Sequence, residues 1–157
     1  MHKNHSNMNE NHYRHLLTMA VLSFISMYIL MYAMVDVIGN VYPNFNQFYM
    51  AGLMTAPMIV IELSVMSAMY QNKRRNALII ATSIIAALIF FTFIRQQTAI
   101  SDRQFLKSMI PHHASAILMC ERASIHDLDI KGLCEAIISG QQAEIDQMKA
   151  KLDELEK

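Results

Sequence analysis

Apolar residues run along this chain in three long blocks and then in two shorter, periodic ones. The long blocks are about Leu16–Ile38, Gln47–Tyr70 and Ala77–Ile94. Each falls in the range of about 17–25 residues that a helix needs to cross a bilayer. The first is too long for a signal-peptide core, and no small-residue cleavage site follows it. From about residue 95 onward, charged residues return and the apolar positions recur every three or four residues. Ser101-Asp102 can cap a helix running to about Ser124. Pro111 lies inside it and predicts a kink, because proline removes a backbone donor and crowds the preceding turn. A polar turn around His126–Asp129 precedes a second helix from about Ile130 to Leu155. Leu133, Ile137, Ile138, Ile145, Met148 and Leu152 mark its apolar face, and Gly140 weakens it.

The pattern predicts an all-α chain: three transmembrane helices followed by a soluble antiparallel helical hairpin, half of a four-helix bundle. Its domains are a polar His/Asn-rich tail (1–15), a three-helix membrane anchor (16–96) and a two-helix domain (97–157). Composition agrees. The 157 residues include no Trp and only 4 Gly, which disfavours a sheet. The formal net charge of zero gives no electrostatic reason to expect nucleic acid.

Orientation follows from the basic residues. Lys73, Arg74 and Arg75 share one loop, whereas the loop Gly39–Asn46 has no charge. The positive-inside rule puts the basic loop and the N-terminal tail in the cytoplasm. Residues 97–157 then lie outside, in the periplasm of a bacterial inner-membrane protein. Two carboxylates, Asp36 and Glu62, fall in or near the spans, where charge is costly. The 14 Met residues include rows at near i+4 spacing: Met27, Met31 and Met34, then Met50, Met54, Met58 and Met66. Such rows serve packing or a thioether path for Cu(I).

A short turn makes the two soluble helices antiparallel neighbours. A pivot near Asp127 puts residue i level with residue 254 minus i. Cys120 is then level with Cys134, and in an oxidising compartment these two are candidates for a disulfide, with thiolate metal binding as the alternative. The same register brings Glu144 and Met148 within about one turn of the segment Met109–His113. Two helices bury little core alone, so association through the bilayer-anchored hairpin is expected, as a homodimer or higher homo-oligomer.

His112 and His113 are about 100° apart around a helix. Met109 shares a face with His113, and Met109 and Met119 share a neighbouring face with His112. Imidazole with thioether suits a soft or borderline metal, copper first, with another transition metal as the alternative. Hydrogen bonding of the two histidines at a helix kink is the simpler reading. The candidate ligands are Met109, His112, His113, Met119, Glu144 and Met148. A second candidate metal region is the tail, where His2, His5, Met8, His12 and His15 recur every three or four residues; a solvated lead-in is the alternative.

Phe105, Met109, His112-His113, Ala116 and Met119, followed by Ile137, Gln141, Glu144-Ile145 and Met148, resemble the bacterial domain-of-unknown-function 305 family over about Asp102–Leu152. The resemblance implies a ferritin-like helical domain outside the cytoplasm. It also implies a Met/His copper site at Met109, His112, His113, Met119 and Met148. Longer members carry more helices in one chain, whereas this chain has a single hairpin.

The expected function is a membrane-anchored copper-binding protein that sequesters Cu(I) or hands it to copper-handling partners. The alternatives are a component of a metal or proton transporter, and a helical assembly module without metal. No enzyme is expected: there is no Glu-x-x-His pair, no His-Glu-x-x-His helix and no Gly-rich phosphate loop.

Overall fold

The computed structural model describes residues 2–156, with side chains from Glu10 onward. It contains five α-helices and, among the described residues, no strand: α1 (His2–Leu30), α2 (Phe45–Val65), α3 (Lys73–Gln96), α4 (Asp102–Arg122) and α5 (Leu128–Leu155). Two short 3-10 turns, Met31–Met34 and Ile38–Asn40, join α1 to α2. Helix α1 begins inside the polar tail, so no break separates tail from span. Three stretches are long and apolar enough to cross a membrane: Glu10–Met34, Phe45–Val65 and Lys73–Gln96. Asp36 therefore lies beyond the first span and not within it. Its carboxylate organises the loop, accepting from Val37 N at 2.6 Å and from Asn40 Nδ2 at 2.7 Å.

The chain divides into two compact units. The first comprises Met1–Leu30 and Phe48–Thr98. Here α2 is the most enclosed span, because small residues line one of its faces: Ala51, Gly52, Thr55 and Ala56 are all buried. A Cβ at Gly52 would collide with the Phe90 ring on α3. Tyr49 packs edge-on against Phe93 and donates its hydroxyl to Thr98 O at 3.0 Å.

At the other end of this unit Leu16, Leu63 and Tyr70 form a small core. Tyr13 Oη donates to Asn76 Oδ1 at 2.6 Å, and Asn76 Nδ2 donates to Tyr70 O at 2.8 Å. The Arg75 guanidinium lies over the Tyr13 ring, 5.7 Å from its centre. Tyr70 Oη is 3.5 Å from Glu62 Oε1, which gives the half-buried Glu62 a tyrosine as partner. Burial first, and then the Glu62 carboxylate, push the Tyr70 hydroxyl above the ordinary tyrosine range. The Met row faces largely outward: Met50 and Met54 on α2 are exposed, as is Met66 just beyond it.

The second unit joins Met31–Gln47 to Ala99–Lys157. Helices α4 and α5 pack along a seam whose buried members are Ile110, Ala114, Ile117, Ile145 and Leu152. Val35 and Tyr42, from the segment between the first two spans, pack on the same core. That segment is stitched to α4. Gln104 Oε1 accepts from Phe45 N at 3.0 Å, and Ser108 Oγ lies 3.3 Å from Asn46 Nδ2.

Pro111 lies inside α4, which is continuous through it. Proline frees the carbonyl four residues before it, here that of Lys107. The buried Asn44 Nδ2 donates to Lys107 O at 3.4 Å, and Pro111 itself is buried. The orphan acceptor is thus served from a distant segment.

Candidate metal centre

Asp127 starts α5 as its N-cap, its carboxylate accepting from Asp129 N and Ile130 N, each at 3.0 Å. The turn before it brings Cys120 beside Cys134, and the two are joined in a disulfide with their Cα atoms 5.2 Å apart. With that pair at the turn, the register of residue i with residue 254 minus i runs down the hairpin, and His113 is level with Gln141.

His113 is buried, 8% exposed, on the seam side of α4. Its Nδ1 lies 2.9 Å from Met109 O, and its Nε2 lies 2.7 Å from Glu144 Oε2. A carbonyl can only accept, so Nδ1 carries a hydrogen. The Nε2–Glu144 contact is closed by one further proton, held by either partner. The ring is thus oriented by the backbone through one nitrogen and presents the other to α5. Met109 meets His113 through its carbonyl oxygen.

His112 is exposed, with its ring centre 6.2 Å from that of His113 and the ring planes 63° apart. The angular step of a helix separates the pair as the spacing requires. Gln141 has a buried Oε1 with no hydrogen-bond partner in the protein. Its level with His113 follows from the register alone, yet sequence reasoning did not single it out as a donor.

The six candidate ligands do not form one set. Met119 is ten residues from Met109, roughly 15 Å along the helix, and is 52% exposed. One ion cannot reach both. Met148 packs on the hydrophobic core. Among the described residues no three His, Cys, Asp or Glu side chains converge as metal ligands. What does converge is His113 with Glu144, flanked by Met109 and His112. Both cysteines are used in the disulfide, so thiolate ligation is ruled out in this structure. In the tail, His12 is half-buried edge-on to Tyr70 and His15 is exposed. The side chains of His2, His5 and Met8 lie outside the described residues.

Residues 61–152 match a family model described as "Domain of unknown function (DUF305)". The match starts within α2 and ends near the C-terminus of α5. A curated relative, "Uncharacterized protein L153" of Acanthamoeba polyphaga mimivirus, is 37% identical over 142 residues, covering 88% of this chain and 91% of its own length. That likeness is too long to be confined to the hairpin and extends through spans as well. No solved structure matches the chain.

Proposed function

We propose that this chain, which belongs to the DUF305 family, is a membrane-anchored copper-binding protein that holds or hands over Cu(I) outside the cytoplasm. The observation that carries the reading is the setting of His113. Its Nδ1 is committed to a backbone carbonyl, which fixes the ring and leaves Nε2 as the binding nitrogen. Nε2 faces a carboxylate whose side chain is 59% exposed and free to swing away. A cation would take the place of the proton now shared by that pair.

The donors fit such an ion. His113 Nε2 would be the anchor, with His112 and the Met109 thioether on adjoining positions. Imidazole and thioether together favour Cu(I), and Glu144 serves better as a carboxylate that holds the imidazole than as a soft ligand. The orphaned Gln141 oxygen adds a neutral acceptor beside the ring. Copper supplies no bond-making chemistry here; the residues bind, orient and release it.

The placement outside the cytoplasm has two supports. The hairpin carries a disulfide, which persists in oxidising compartments. Two spans, α2 and α3, separate Met31–Gln47 from Ala99–Lys157, so both parts of one compact unit emerge on the same side of a bilayer. That side is opposite the basic loop at Lys73–Arg75.

The test is a Cu(I) competition titration of the full chain in detergent, wild type and His113→Ala. Stoichiometric binding by the wild type, weakened at least a hundredfold in the variant, is expected. Equal binding by both proteins would move the site elsewhere, and no binding by either would end the copper reading.

A further inference from the structure

The packed seam occupies Leu106, Ile110, His113, Ile117 and Cys120 on α4, the alternating four-and-three spacing of a heptad. One position earlier runs a second stripe with the same spacing: Phe105, Met109, His112, Ala116 and Met119. It holds no acidic or Lys/Arg residue, and Phe105 is as open as Met119, at 51% exposure. In an antiparallel pair, the positions just before the seam positions point to the same side on both helices. On α5 these are Leu133, Ile137, Gly140 and Glu144, and Leu133 is 59% exposed. The opposite side of the hairpin differs. There α4 is covered by Met31–Gln47, and α5 shows Glu135, Ser139, Gln142 and Asp146.

Gly140 gives a second, independent observation. Nothing lies within 4 Å of the place a Cβ would occupy there. No contact inside the chain calls for a glycine, and one in mid-helix weakens the helix. The open space leaves room for a helix that closes in from outside.

We infer that this side docks face to face on the same side of a second copy, α4 against α5 of the partner, around a two-fold axis along the hairpins. Such an interface is self-complementary. The axis preserves levels, so the register of residue i with residue 254 minus i also holds between copies. His112 then comes within about a turn of Glu144 of the second copy, pairing a base with an acid twice over. Ala116 and Met119 meet Leu133 and Ile137 of the second copy, apolar on apolar. Both hairpins enter their spans at the same end, as two chains in one membrane require. The second copy thereby brings a carboxylate to the His112 side of the centre; that role rests on the copper reading, whereas the docking does not.

The experiment measures the mass of the full chain in detergent by sedimentation, with a copper chelator present throughout. The wild type is expected to dimerise. Ala116→Glu and Gly140→Leu are expected to raise the dimer dissociation constant at least tenfold. Ser139→Glu, on the polar side, is expected to leave it unchanged. Circular dichroism checks that each variant keeps its helix content. A monomeric wild type, or an Ala116→Glu protein that dimerises as well as the wild type, overturns the inference. Because no copper is present, neither result depends on whether the chain binds it.

Discussion

His113 Nε2 lies 2.7 Å from Glu144 Oε2, joining a buried ring on α4 to an exposed carboxylate on α5. The asymmetry decides what each end does. The imidazole is fixed by packing and by the Met109 carbonyl, so it cannot follow the carboxylate when that moves. The carboxylate is solvated and can leave without opening the core.

Glu144→Gln therefore leaves the hairpin nearly as stable as before, within about 1 kcal/mol, because the change falls at the exposed end of the pair and an amide can still hydrogen-bond to Nε2. Copper affinity falls about tenfold, the usual effect of losing a group that holds a metal-binding histidine. Thermal melts and Cu(I) competition titrations on the same samples measure both. Unchanged affinity would remove Glu144 from the centre.

Cys134→Ser opens the Cys120–Cys134 bridge, which closes a loop of sequence separation 14. A loop of that size corresponds to about 3 kcal/mol in the chain-entropy account. The hairpin should lose that much stability, and the wild type in reductant should match the variant. A wild type indifferent to reductant would show that the bridge adds nothing.

Gly52→Leu drives a side chain into the Phe90 ring. Overpacking of this kind costs about 1–3 kcal/mol. The variant should aggregate at lower temperature in detergent, and adding Phe90→Ala should restore much of the loss. Failure of the second change to rescue the first would place the damage elsewhere.

Acid should loosen the open end of the hairpin. Glu156 is held below the ordinary carboxylate range by hydrogen bonds from Arg103 and then Lys107. A lowered folded value means that this contribution is complete above the unfolded glutamate range and is lost as pH falls through the folded value. Glu156→Gln should flatten that part of the acid branch of the stability curve, read by melts between pH 6 and 3. An unaltered acid branch would show that the ion pairs add no stability.

Much of this architecture is legible in the sequence because it rests on period and length. The three apolar blocks give the spans, and the mirror spacing of Cys120 and Cys134 gives the register of the hairpin. The segment Met31–Gln47 is not legible in that way. Its Asn44 and Asn46 have no period and read as part of an ordinary polar loop, while groups they serve lie on α4, 63 residues on in the case of Asn44 and Lys107. The same holds at Pro111: the carbonyl it frees finds a donor from a part of the chain that no window includes. The separation of Met119 from Met109 is legible from rise per residue; spacing around the helix drew attention to shared faces and away from distance along the axis.

The bond from Asn44 to Lys107 bears on how the protein is made. The second unit is discontinuous in sequence: one part is synthesised before α2 and the rest after α3. During synthesis Met31–Gln47 emerges first and waits, its partners still unmade. A hairpin cut free at Thr98 would lose the cover that Val35 and Tyr42 give the core containing Ile110, Ala114 and Ile117. Completion of the second unit therefore waits on the last stretch of the chain to be made, although its first part is among the earlier ones.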